Sequence, residues 1–148
     1  MAPKKPERIP AVVATMTPFP WFIHIDDRLS RAKEMMAEHE IRHLPVTEDG
    51  ELVGVLDERD LRLVASRTDA KQLGALTVAD ACMRDAYVVD VSEPLDQVLM
   101  EMARRHIGSA LVVKHGKLVG IFTGTDACRA FGELLRDLFP DPGADEVA

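Results

Sequence analysis

The chain has 148 residues, with 25 acidic against 18 basic side chains and a formal net charge of −7 at pH 7. That length suits one compact domain, burying roughly 68–70% of the surface its unfolded chain exposes, and the acidic balance argues against nucleic acid, whose phosphates demand a basic face. No apolar run approaches the roughly 18–20 residues that cross a bilayer, and Pro10, Pro18 and Pro20 interrupt the first apolar stretch, so neither a membrane span nor a signal peptide is expected.

Residues 1–11 read as a solvated tail, with Lys4, Lys5 and Arg8 split by Pro3 and Pro6. A first unit follows over 12–66. Leu29, Ala32, Met35, Met36 and His39 keep helical spacing, and a strand is expected at 43–47. The turn Glu48-Asp49-Gly50-Glu51 leads into the apolar run Leu52–Leu56, which suits a buried strand. A helix then begins near Asp57. Residues 67–77 form a polar connector.

A second unit over 78–132 repeats this order. Leu95, Val98, Leu99, Met102 and Ala103 predict a helix, with Pro94 at its start. Strands are expected at 109–113 and Leu118–Phe122, joined through Lys114-His115-Gly116-Lys117, and a helix begins near Thr123. That helix continues through Phe131, Leu134, Leu135, Leu138 and Phe139 to a stop before Pro140, so residues 133–148 hold its end and a Pro, Gly and acid-rich terminus. The apolar stripe has two readings, packing on its own domain or contact with another subunit.

The two units are copies. GVLDERD at 54–60 and GIFTGTD at 120–126 stand at a constant offset of 66 residues, which also relates Leu29 to Leu95, Met36 to Met102, Ile41 to Ile107 and Gly50 to Gly116. Such a repeat builds one supersecondary unit twice and stacks the copies over a shared core. Where the copies differ is where function is expected.

Thr123 followed three residues later by Asp126, just after a strand, is a helix-capping pattern, and Asp57 with Asp60 can do the same work. Capping is the simpler account of these residues, and ligand binding the sharper one.

The whole unit resembles a CBS domain pair, or Bateman module. The resemblance rests on Met16 and Met83 opening each copy, on IRHLPV at 41–46 and IGSALVV at 107–113, and on the glycine-strand-(Ser/Thr/Asp)-x-x-Asp close of each copy. It implies an α/β (α+β) fold of tandem β-α-β-β-α repeats with pseudo-twofold symmetry and two clefts between them. Such clefts often bind AMP, ADP, ATP or S-adenosylmethionine, the terminal Asp taking the ribose hydroxyls.

Carried onto this chain, the resemblance implies a nucleotide site in which Asp126 and Thr123 hold ribose, Tyr87, Val88 and Val89 flank adenine, and Arg42 and His43 meet phosphate. A carboxylate accepts two vicinal hydroxyls and a guanidinium pairs with phosphate, so the chemistry agrees. The second cleft, with Asp57, Asp60, Arg59 and Phe22, is expected to be degenerate: Asp57 adds a carboxylate, and Gly108 and Ser109 stand where the other copy has Arg42 and His43. The extra Phe19-Pro20-Trp21-Phe22 either stacks on a base or plugs that cleft.

His39 and His43 are i,i+4, but the helix should end between them, so no metal site is expected. Cys82 and Cys128 form no CxxC pair and fit buried free thiols in a reducing cytoplasm. No nucleophile or phosphate-loop motif supports catalysis. The expectation is a non-catalytic, cytoplasmic regulatory module that binds an adenosine derivative, forms a homodimer and signals to an effector protein. The alternative is a ligand-free dimerisation or scaffolding module.

Overall fold

In the computed structural model, residues 8–140 are described. Of the expected tail 1–11, residues 1–7 lie outside them, as do residues 141–148. Pro10 and Ala11 are not free tail: the Pro10 carbonyl accepts the Leu95 amide at 2.9 Å, and Ala11 bridges to Pro94. A 3-10 turn at Val12–Ala14 leads to β1 (Thr17–Pro18) and β2 (Ile23–His24). Then come α1 (Leu29–His39), β3 (His43–Glu48), β4 (Glu51–Asp57) and α2 (Glu58–Ser66). The connector holds α3 (Ala70–Leu73), a helix not expected there, started by the Asp69 side chain accepting from the Gln72 amide at 2.7 Å. A second 3-10 turn at Val78–Asp80 precedes β5 (Val88–Asp90), α4 (Leu95–Arg105), β6 (Ser109–Lys114), β7 (Lys117–Thr123) and α5 (Gly124–Leu138).

Local chemistry sets the element ends. Both hairpins turn through two left-handed residues, Asp49 and Gly50 (φ 51° and 80°) and His115 and Gly116 (φ 51° and 76°). That geometry matches the twist of the paired strands and explains the shared glycine. Helices α1 and α4 stop at left-handed Glu40 and His106. The next residue's amide, Ile41 or Ile107, reaches back to Met36 or Met102 at 3.1 Å. This closure tucks each isoleucine against its own core.

Two sheets result, β2-β3-β4 and β1-β7-β6-β5. In each, a short parallel strand flanks an antiparallel hairpin, and the ladder slips at the same place, Val46/Thr47 and Val112/Val113. The copies exchange their leading segments. Thr17 and Pro18 pair with β7 of the second copy, while Met83 bridges to Val55 of the first. Val12 lies in the second copy's core, and Val78 in the first's. This reciprocity is what a pseudo-twofold axis produces, and it makes the fold a mixed α/β pair of tandem repeats. Val55, Leu111 and Ile121 form the seam between the copies.

The C-terminal helix ends at Leu138, one residue short of its Phe139 cap, as expected before Pro140. Its apolar stripe does not pack on its own domain. Phe131, Leu134, Leu135 and Leu138 are exposed, and Asp126 is the buried residue of this helix. Cys128, expected to be buried, is exposed on the same helix, and Cys82 is half-buried; both are free. Among the described residues, no helix is long and apolar enough to cross a membrane.

Candidate ligand site between the repeats

Pairing of β3 with β4 sets His43 opposite Asp57 at the mouth of the first copy's hairpin. Asp57 caps α2 by accepting the Arg59 amide at 2.7 Å. The start of this helix faces a cavity of about 880 Å³ between the copies. The first copy supplies Arg42, His43, Asp57, Glu58, Arg59, Asp60 and Arg62; the second copy and its leader supply Met83, Asp85, Ala86, Tyr87 and the run Arg105–Ser109. Its volume lies within the range of small-molecule sites, roughly 300–1,000 Å³.

Charge in the cavity is balanced and mostly tethered. His43 Nε2 lies 3.2 Å from Asp57 Oδ2 but off the hydrogen-bond direction, so this buried nitrogen has no aligned partner. The imidazole beside Asp57 nevertheless holds that carboxyl below its usual range, against the opposing pull of burial. Asp60 behaves in the opposite way. Burial, and then the Asp57 charge, push its carboxyl up. Among the described residues, no side chain or amide hydrogen-bonds to it.

Glu58 holds Arg62 at 2.8 Å and Arg42 at 3.7 Å. Across the cavity Arg105 is bonded to Glu101 at 2.7 Å and stands 4.8 Å over the Tyr87 ring. Arg104 and Arg105 together hold the Glu101 carboxyl down to about 2. Burial pushes the Tyr87 hydroxyl up.

Asp126 is in a different condition. It is 4% exposed, and both carboxylate oxygens are engaged. Oδ2 accepts from the Thr123 amide (2.9 Å) and hydroxyl (3.2 Å), closing a capping box. Oδ1 accepts from the Thr17 hydroxyl at 3.0 Å and from Arg129 at 3.3 Å.

The residues expected together are therefore regrouped. Arg42, His43 and Tyr87 line the cavity of Asp57, Asp60 and Arg59, whose walls do not include Asp126 or Thr123. The reason is the exchange of leaders, which carries the Met83–Tyr87 segment to the first copy's β4. Val88 is exposed, and Val89 is a core residue paired with Val112; neither is a cavity wall. Phe22 is 58% exposed and is no plug for the Asp60 cavity. Trp21 lies flat on His39, ring centroids 3.8 Å apart.

Gly108 and Ser109 supply this cavity with no cation, as expected, but beside the expected Arg59 it is lined by Arg42, Arg62 and Arg105. Arg62, Arg105 and His106 escaped sequence reasoning. The Arg104-Arg105-His106 run at the end of α4 was the available signal, because an ending helix projects its last side chains toward the interface. Among the described residues, no three His, Cys, Asp or Glu side chains gather as a metal site.

Comparison with known proteins places this arrangement. The CBS domain family's sequence pattern matches residues 11–67 and 78–133. L-aspartate semialdehyde sulfurtransferase of Methanocaldococcus jannaschii is 27% identical over 111 residues, covering 74% of this chain and 21% of that protein. The chain thus spans about a fifth of the length of the first curated relatives it matches. Hypoxic response protein 1 of Mycobacterium tuberculosis is 27% identical over 108 residues, 72% of this chain and 75% of that protein. A solved structure of Hypoxic Response Protein I carries two coordinated zinc ions (TM-score 0.68, 25% identity, covering 80% of this chain and 97% of that one).

Two further structures hold adenosine compounds. The CBS domain pair of protein MJ0100, in complex with 5′-methylthioadenosine and S-adenosyl-L-methionine, superposes with a TM-score of 0.74 at 25% identity, covering 85% of this chain and 98% of that one. CBSX2 in complex with AMP gives a TM-score of 0.74 at 26% identity, covering 86% and 99%. With both repeats matched in sequence and the pair matched in structure, the chain belongs to the CBS domain family.

Proposed function

We propose that this protein is a non-catalytic regulatory module that binds an adenosine derivative in the cavity beside Asp60. One observation carries the reading. Asp60 is a partly buried carboxylate without a hydrogen-bond partner among the described residues, in a cavity walled by both repeats. A carboxylate in that condition gains most from two ligand hydroxyls. Tyr87 and Arg105 offer a ring and a guanidinium plane for a base, while Arg42 and Arg62 offer cations for a phosphate. The adenosine compounds held by the MJ0100 pair and by CBSX2 support this class of ligand. A ligand touching both repeats biases their relative packing, and an effector protein reads that change.

Calorimetry with AMP, ADP, ATP, S-adenosylmethionine and 5′-methylthioadenosine tests the reading. At least one should bind, and Asp60→Ala should weaken it at least about tenfold, since a hydrogen bond to a charged group contributes about 1.5–3 kcal/mol. Binding of none, or binding indifferent to Asp60→Ala, rejects it.

The exposed apolar face of α5 favours a second role, assembly of two copies. Phe131 and Leu134 share an apolar groove with Leu95 and Leu99 of α4, and surface of that kind is rarely left bare in a soluble protein. Ligand binding and dimer formation are compatible in one molecule.

A further inference from the structure

The repeat offset sets the two clefts side by side for comparison. Asp60 corresponds to Asp126, Val55 to Ile121, Tyr87 to Trp21 and Arg105 to His39. A stacking contact recurs as well: the Arg105 guanidinium over the Tyr87 ring in one copy, the Trp21 ring on the His39 imidazole in the other. Both leaders cross their sheet at the same glycine, where a Cβ on Gly54 would meet the Met83 carbonyl oxygen and one on Gly120 the Met16 sulfur. In the first case that leader lines an open cavity. A crossing leader therefore does not fill its cleft by being there.

The difference lies at one register position of the crossing leader, the residue paired with Ile121 in one copy and with Val55, its counterpart, in the other. In the second-copy cleft this is Thr17, whose hydroxyl donates to Asp126 Oδ1 at 3.0 Å across 109 residues of sequence. In the first it is Met83, whose thioether has no hydroxyl to donate, and no group hydrogen-bonds to Asp60 among the described residues. Thr17 thus presents to Asp126 the group that a sugar would present, an sp³ hydroxyl. Asp126 has its remaining capacity taken by Thr123 and Arg129.

We propose that the Asp126 cleft is a second hydroxyl-binding site that the chain keeps closed with its own Thr17 hydroxyl, so that each chain takes one ligand. The inference rests on the adenosine reading of the Asp60 cavity for the identity of the ligand. Thr17 competes as an intramolecular group, at an effective concentration no dilute ligand reaches. Removing its hydroxyl and methyl leaves the leader in place on β7, as its counterpart is on β4, and releases one carboxylate oxygen.

Equilibrium dialysis with radiolabelled AMP and, separately, S-adenosylmethionine reads the stoichiometry. The wild-type chain should bind one equivalent and Thr17→Ala close to two. Thr17→Ser, which retains the hydroxyl, should stay at one. In the Thr17→Ala background, Asp126→Asn should remove the added equivalent and Asp60→Ala the original one. Circular dichroism melts confirm that each variant is folded; if Thr17→Ala is not, Thr17→Val serves in its place. Two equivalents on the wild type, or no gain in a folded hydroxyl-free variant, overturns the proposal. A wild type that binds nothing while Thr17→Ala gains an Asp126-dependent equivalent rejects the Asp60 reading and leaves this one standing.

Discussion

The imidazole of His43 lies directly over Gly108 of the other repeat, so close that a Cβ on Gly108 would stand 3.0 Å from His43 Nε2. Gly108 is the counterpart of Arg42, and the contact explains why the copies differ there: one side of the axis carries the ring and the other must leave space for it. The same His43 nitrogen lies 3.2 Å from Asp57 Oδ2. Gly108→Ala should push the ring off Asp57 and cost about 1–3 kcal/mol as an overpacking change. Urea denaturation measures it. The double variant with His43→Ala should recover part of the loss, giving a non-additive cycle.

Two other glycines should rank clearly. A methyl at Gly54 collides with the Met83 carbonyl oxygen, and that carbonyl is fixed by its 2.9 Å bond from the Val55 amide. At Gly120 the clash is with the Met16 side chain, a flexible group that can turn away. Gly54→Ala should therefore cost roughly 3 kcal/mol or more and Gly120→Ala under about 1.5 kcal/mol. Equal losses in denaturant melts would contradict the distinction.

Asp60 and Asp57 should pull stability in opposite directions with pH. The Asp60 carboxyl is raised in the folded chain, so its ionisation opposes folding once pH exceeds the raised value, and the effect vanishes below the unfolded value of 3.8. Asp60→Asn should raise the melting temperature at pH 7 and leave it nearly unchanged near pH 3. Asp57 is depressed, so its contribution is present above 3.8 and disappears as pH falls through its lower folded value. Asp57→Asn should lower the melting temperature at pH 7. A variant that becomes more stable as it loses ligand is the mark of a binding group rather than a structural one.

The α4–α5 face should govern self-association and nothing else. Leu134→Ser with Phe131→Ser changes exposed residues that are not among the walls of the Asp60 cavity. In sedimentation velocity the wild type should run as a dimer and the variant as a monomer, both retaining ligand. A monomeric wild type at tens of micromolar (about the concentration of an ordinary run) would remove the second role; interfaces of this kind typically need about 800 Å² per partner to persist there.

Much of the architecture was legible because its causes are local. Leu29, Ala32, Met35 and Met36 fall on one helix face whatever the rest of the chain does. Gly50 and Gly116 announce left-handed turns, and Asp57 and Thr123 start their helices by bonding two and three residues ahead. The 66-residue offset alone required a stacked pair.

The site was less legible because its causes are long-range. Thr17 reaches Asp126 while Asp60 has no such donor among the described residues, and no spacing or periodicity encodes a contact across 109 residues. The sequence by itself determined a duplicated unit, its hairpins and its capped helices, through interactions within a few residues. Only the tertiary structure decided that the leaders change places, that Arg42, His43 and Tyr87 gather at Asp60, and that Asp126 is already occupied. Those outcomes depend on how two nearly equal halves pack, and the Thr17 hydroxyl at their seam bonds the terminal aspartate of one copy and not that of the other.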